Sequence, residues 1–316
     1  MNKYQCVLLA SILSINLFAS DADAKAQMTT EKSFAGLKTT VEKLGKKALS
    51  HTLVVMDNDD TLTMMSCPDQ NNLKTCQYLG GPAWFSWQDD LLKEKSSPYR
   101  VADNFGDLLD ISALLFAMNN MVYAEKMIPN VLESLSQLGV KLMVLTARGT
   151  ANLSATASQL DNLSVTTKTG EQDFLDFIAK NAPKGTKSGL PSVASPFTDA
   201  TCNAKRPVSY QQGVMYVAGQ NKGDMLKCLL ARTETSMIKN IVFIDDTLSN
   251  VEDVYGAFKD STKYTVKAIH YTALKAHKEA LTKGPMATKH QDAAKKRWGI
   301  IKATMHHQLQ TPVTLL

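Results

Sequence analysis

Residues 53–63, LVVMDNDDTLT, constrain this chain more than any other stretch: an apolar, partly β-branched run stops abruptly at Asp57, Asn58, Asp59 and Asp60. A run so short reads as a buried strand of a parallel sheet with Asp57 at its carboxyl end. Open α/β sheets take their ligands at that end of the strands. Carboxylates grouped there repel one another and resist burial unless a cation offsets them. The stretch therefore predicts an α/β fold with a cation-dependent site.

The pattern recurs further along. Residues 140–145 form a second apolar run, ending in Thr146, Ala147, Arg148 and Gly149. Residues 214–218 form a third, followed by Gly219, Gln220, Asn221 and Lys222 and then by a helical pattern through Leu226, Leu229 and Leu230. A fourth, residues 241–244, ends in Asp245 and Asp246 with Asn250 four residues beyond, and residues 266–271 read as a fifth, with His270 near its end.

Asp57, Asp59, Thr61 and Leu62 resemble the first motif of the haloacid dehalogenase (HAD) superfamily, Thr146 at a strand end resembles the second, Lys222 the third, and Asp245 with Asp246 the acidic fourth. All four stand in the superfamily's order, over about residues 50–271. The resemblance implies a HAD-type, Rossmann-like parallel sheet with helices on both faces and an inserted cap. It also implies the chemistry of a phosphatase. Asp57 would attack phosphorus and form an aspartyl-phosphate, Thr146 and Lys222 would hold the phosphoryl oxygens, and Asp59 would protonate the leaving oxygen and later activate water. Mg²⁺ suits such an all-oxygen site, with the Asp57 side chain, the Asp59 carbonyl and Asp246 as ligands and Asp245 in support. Dehalogenases of the superfamily lack an acid two residues after the nucleophile and ion-pumping ATPases carry threonine there, so Asp59 points to phosphoryl transfer. One departure stands out: the final acidic position of the fourth motif is Asn250.

Two other classes share parts of this pattern. A response-regulator receiver also combines acids, a threonine and a lysine, but its paired acids come first in the chain and here they come last. A secreted binding or effector protein with little or no turnover would keep the fold, and an intact set of site residues argues for catalysis over it.

Lys3, an apolar stretch over residues 7–18 and the small-residue pattern Ala22, Asp23, Ala24 read as a secretory signal peptide over residues 1–24, which predicts a periplasmic or secreted protein. The apolar stretch is too short for a stable membrane span. Four cysteines remain beyond it. Cys67 and Cys76 bracket a short polar loop and predict one bridge; Cys228 suits either a second bridge or a buried free thiol. Removing the segment takes one lysine and two aspartates from a formal net charge of +5, leaving a mildly basic chain suited to small anionic substrates and not to nucleic acid.

The catalytic core is expected in residues 25–63 and 131–275, a cap in residues 64–130 and a helical extension in residues 276–316. An amphipathic helix over residues 31–44, with Phe34, Leu37, Val41 and Leu44 on one face, should lead directly into the first strand. The cap follows from the 89 residues between Asp57 and Thr146, more than a strand–helix connection needs. Capped members of the superfamily tend to act on small metabolites, so a small phosphate ester is expected, a nucleotide or a sugar phosphate. Within the insert, residues 105–118 read as helical, and Trp84, Phe85 and Trp87 are either a substrate lid or local core. Residues 181–207 read as loop. Arg148 either reaches a substrate anion or pairs with a fourth-motif aspartate, His270 reads as structural, and Lys295, Lys296, Arg297 and Trp298 lie on a carboxyl-terminal helix with a solvated face.

Overall fold

The computed structural model describes residues 26–310 apart from positions 68, 70, 71, 73, 74, 95 and 199–201, so the export segment expected at residues 1–24 lies outside the described residues. In chain order the strands are β1 (Ala26–Glu31), β2 (Thr52–Met56), β3 (Thr63–Met65), β4 (Met121–Tyr123), β5 (Lys141–Thr146), β6 (Ser164–Thr167), β7 (Gly170–Asp173), β8 (Ser209–Gln211), β9 (Val214–Tyr216), β10 (Asn240–Asp245) and β11 (Thr265–Tyr271). The helices are α1 (Phe34–Glu42), α2 (Lys46–Leu49), α3 (Pro82–Leu91), α4 (Phe105–Met118), α5 (Ile128–Gln137), α6 (Leu153–Asp161), α7 (Phe174–Asn181), α8 (Lys222–Leu230), α9 (Leu248–Phe258), α10 (Lys275–Ala280) and α11 (Ala287–Gln310).

Seven strands form one sheet in the order β1-β11-β10-β2-β5-β9-β8, parallel throughout except for β8 against β9. Side chains of β2 alternate between two cores. Leu53 and Val55 pack with Met225, Leu226 and Leu229 of α8 and Val251, Val254 and Phe258 of α9. Val54 and Met56 face the other way, toward Phe34 and Leu37 of α1, Leu132 and Leu135 of α5 and Phe174 and Ile178 of α7. With both faces covered the strand reads as a continuous apolar run, and burying each such side chain contributes about 1.5–3 kcal/mol. This is an α/β fold with a mostly parallel sheet and helices on both faces.

One local expectation is corrected. Residues 31–44 are not one helix leading directly into β2: Glu31 closes β1, Ser33 caps α1 by accepting from the Gly36 amide, and α2 intervenes. β1 itself carries no apolar run. It is an edge strand, paired only with β11, and its AQMTTE sequence leaves one side to solvent.

Between β2 and β5 the chain makes the antiparallel pair β3–β4 and the helices α3 and α4. Trp84, Trp87, Leu91, Leu108 and Leu115 of these helices pack with Leu281, Ala294 and Trp298 from the carboxyl-terminal region, in a cluster separate from the two sheet cores. Two of the three aromatics named above are thus core, and Phe85 lies at the edge of the cluster against Phe105, with ring centroids 6.2 Å apart. The same layer is pinned by Tyr78, whose hydroxyl donates to the His277 carbonyl at 2.9 Å and whose ring stacks on His277. Disulfides join Cys67 to Cys76 and Cys202 to Cys228, so Cys228 is bridged and not a free thiol. Among the described residues no helix is long and apolar enough to cross a membrane.

Candidate active site

Parallel register brings the strand ends together. Met56 lies opposite both Ile244 of β10 and Val144 of β5, so the residues that follow emerge side by side: Asp57 from β2, Asp245 and Asp246 from β10, and Thr146 from β5. The Asp57 amide still donates to the Ile244 carbonyl at 2.9 Å. The chain then curls back, with the Thr63 amide donating to the Asn58 carbonyl (2.8 Å) and the Asp60 amide to the Thr63 carbonyl (2.8 Å). Asp60 takes a left-handed φ of 57°, a conformation that aspartate adopts more readily than most residues.

Lys222 opens α8, whose first turn is capped by Asn221 accepting from the Asp224 amide at 2.9 Å. Gly223 lets that turn press against α9: a Cβ there would lie 2.3 Å from the Asp253 carbonyl oxygen. The close approach seats Lys222, 1% exposed, beneath the sheet edge. Its ammonium donates to Asp57 Oδ1 and, at 2.6 Å, to Asp245 Oδ2. Burial alone would lower the lysine's pKa; the charges of Asp245 and Asp57 outweigh it and hold the ammonium above its ordinary value. Asp57 is pushed well up by burial, against the pull of Lys222 and with the help of the Asp245, Asp246 and Asp59 charges.

Asp245 is fully buried and its oxygens are used within the protein: Oδ1 accepts from the Thr247 amide (2.8 Å), and both oxygens accept from Asn250 at 3.1 Å. The amide at the position where an acid is expected thus orients Asp245. Asp246 is tied to the first-motif loop, its amide donating to Thr61 Oγ1 at 2.9 Å, and its carboxylate accepts from Lys278 of α10. His270 meets the Asp246 carbonyl at 3.2 Å, a backbone support. Lys278 was not legible beforehand. Nothing in KAHKEA separates it from the other lysines of the chain.

Carboxylate oxygens of Asp57, Asp245 and Asp246 lie within 4.8 Å of one another. Asp60 is buried beside them with its Oδ2 unpartnered among the described residues, and its carboxyl is pushed up to about 8 by burial first and by the Asp246 charge. Four buried carboxyl groups therefore face two ammonium groups, Lys222 and Lys278. A hard divalent cation such as Mg²⁺ fits this donor set and would offset the remaining charge.

Thr146 is fully buried, and its Oγ1 accepts from the Arg148 amide at 3.2 Å. The pairing of Arg148 with a fourth-motif aspartate, one of the two alternatives the sequence leaves open, is not found: its guanidinium grips Asp59 through two hydrogen bonds of 2.9 and 2.7 Å. Asp59 is the most exposed of the site carboxylates, with 19% of its side chain accessible.

The fold and the site together define an α/β protein with an acidic, lysine-bridged cluster at the carboxyl ends of a mostly parallel sheet, a donor set that could hold a metal ion. The chain belongs to the family described as "Protein of unknown function (DUF2608)", whose model matches residues 30–309. No curated protein matches the sequence. Among solved structures, a crystal structure of cytosolic 5'-nucleotidase IIIB bound to cytidine is similar with a TM-score of 0.28 and 9% identity, over 85% of this chain and 93% of that one.

Proposed function

We propose that this chain is a Mg²⁺-dependent phosphoric monoester hydrolase of the HAD type, acting on a small phosphate ester through an aspartyl-phosphate on Asp57. The observation that carries this reading is the convergence of Asp57, Asp245 and Asp246 within 4.8 Å, with Lys222 bridging two of them. Oδ2 of Asp57 is the oxygen not engaged by Lys222, and it would attack phosphorus in line as the ester P–O bond breaks. Asp59 gives a proton to the departing oxygen, then takes one from the water that cleaves the aspartyl-phosphate. Thr146 and Lys222 hold the phosphoryl oxygens, the lysine offsetting charge that builds in the transition state. The Asp57 and Asp246 side chains and the Asp59 carbonyl, with Asp245 in support, would hold Mg²⁺, which when bound would supply the positive charge that lets a carboxylate approach a phosphoryl group.

The length of the insert between β2 and β5 supports a small substrate, a nucleotide or a sugar phosphate, on the reading that it caps the site and keeps large surfaces out. The two disulfides and the amino-terminal apolar stretch support export to the periplasm or medium; protein recovered from that compartment should begin at Lys25 on amino-terminal sequencing, and intact residues 1–24 would refute it. The activity is tested by assaying purified protein against a panel of phosphate esters with Mg²⁺ and with chelator. Turnover should require the metal, and Asp57→Asn should lower it by about 10⁴-fold or more while the protein stays folded. Unchanged rates in Asp57→Asn would overturn the mechanism, and no turnover of any ester by the wild type would leave the binding or effector reading.

A further inference from the structure

Asp59 does not stand free. Its Oδ2 accepts from Arg148 Nε at 2.9 Å and its Oδ1 from Nη2 at 2.7 Å, a side-on fork in which the guanidinium meets both oxygens. The rest of that guanidinium is occupied. Nη1 donates to Thr156 Oγ1 at 2.9 Å and to Gln159 Oε1 at 2.6 Å, both on α6, and Cζ lies 4.4 Å from the centre of the Phe116 ring on α4. Four of the five N–H groups are used and the residue is 5% exposed, so Arg148 is poorly placed to follow a substrate anion. Gln159 carries the connection onward: its Nε2 donates to the carbonyls of Phe116 (2.6 Å) and Asn119 (3.0 Å) at the carboxyl end of α4. Asn119 in turn donates to the Gly80 carbonyl at 3.3 Å, just ahead of α3.

We propose that Arg148 is the positioning residue of Asp59, and that through Gln159 and Phe116 it makes the aim of that carboxylate depend on where the inserted helix α4 sits. This rests on the reading of Asp59 as the proton donor and acceptor, and it goes beyond that reading by assigning the insert a part in the chemistry as well as in covering the substrate. A proton-transfer group works only within hydrogen-bond reach of the atom it serves, and a misplacement of about 1 Å costs on the order of 10²-fold. A planar guanidinium locked on three sides fixes both the position and the rotation of a carboxylate. A lysine in its place would hold the position alone.

The test uses the full-length mature protein with Mg²⁺ and reads kcat/KM for two esters, a simple alkyl phosphate, whose alkoxide needs a proton to leave, and p-nitrophenyl phosphate, whose phenolate does not. Arg148→Gln should lower kcat/KM for the alkyl ester by about 10²-fold or more and for the aryl ester far less, with Arg148→Lys and Gln159→Leu falling between. In an Asp59→Asn background, Arg148→Gln should add no further loss on the alkyl ester. Equal losses on both esters, or losses that multiply in the double variant, would overturn the proposal, because a structural or phosphate-binding arginine behaves that way. If the wild type hydrolyses neither ester, the functional reading falls, and a urea-unfolding cycle on Arg148→Gln, Asp59→Asn and the double variant then decides the positioning proposal. Coupled destabilisation supports the clamp, and simple addition overturns it.

Discussion

The carboxyl edge of the sheet and the helical layer beside it are held together in opposite ways. At the edge, Asp57, Asp60, Arg148, Lys222 and Asp245 are all buried, and Arg148, Lys222 and Asp245 are each held by charged or hydrogen-bonding partners on other elements or in the neighbouring turn. In the layer formed by α3, α4 and the carboxyl-terminal residues, the side chains of Trp84, Trp87, Leu108, Leu281 and Trp298 form an apolar core held by packing, with the Tyr78–His277 hydrogen bond at its side; the indole nitrogen of Trp298 has no hydrogen-bond partner among the described residues. Directional contacts fail when one partner is lost, because the other is left as an uncompensated buried charge. Packing contacts fail in proportion to the volume removed. Among the described residues the first kind of risk is concentrated at the end of the sheet.

The sharpest way to break this contrast is at Lys222. Lys222→Met keeps the volume of the stem and leaves Asp57 and Asp245 facing each other without their shared cation. Stability should fall by about 3–5 kcal/mol in urea unfolding with chelator present, and turnover should be lost. Mg²⁺ should return part of the stability, since a cation bound to Asp57 replaces some of the missing charge. A variant as stable as the wild type, with or without metal, would mean that the acids at the edge are not ionised together.

The same contrast explains what the sequence discloses. β2, β5, β9, β10 and β11 are legible because both faces of a central strand are covered, and an apolar run broken by acid marks where such a strand meets solvent. β1 is not, since an edge strand with one open side has the composition of a loop. The strand-end residues Asp57, Thr146, Asp245 and Asp246 could be named in advance because they follow directly from strands. Lys278 and the Arg148–Asp59 pairing could not, because each joins residues far apart in the chain: α10 brings Lys278 to Asp246 across 32 residues, and Arg148, held by the nearby α6, meets Asp59 across 89. The shared core of Trp84 and Trp298 is hidden for the same reason, and no periodicity in either helix names its partner.

That core supplies the next test. Trp298→Ala removes a large buried ring from the layer and should cost about 3 kcal/mol or more in thermal or urea unfolding, while kcat/KM for p-nitrophenyl phosphate, measured on the fraction still folded, stays close to wild type. Loss of stability and of chemistry together would show that the carboxyl-terminal helix supports the sheet edge directly, and the contrast between the two regions would dissolve. Of the three aromatics read as a lid or as core, Phe85 alone lies at the margin of the cluster, and alanine at Trp84 or Trp87 tests folding and not substrate contact.

The last test is at Asp60, where the sign of the effect is what informs. Burial, with the Asp246 charge, raises this carboxyl from an ordinary 3.8 to about 8, so between those values the unfolded chain has released a proton that the native protein still holds. Stability attributable to Asp60 is therefore intact below about pH 4, declines as pH rises through the window, and levels off above 8. Asp60→Asn stays neutral in both states, and asparagine tolerates the left-handed backbone at this position. With chelator present, its melting temperature should match the wild type near pH 4 and exceed it increasingly toward pH 8. Added Mg²⁺ should narrow the gap, because a cation beside Asp246 favours the ionised carboxylate that asparagine cannot provide. A variant that melts below the wild type across the whole range would place Asp60 among the fixed charges of the edge, paired in the native protein by a group that offsets its burial.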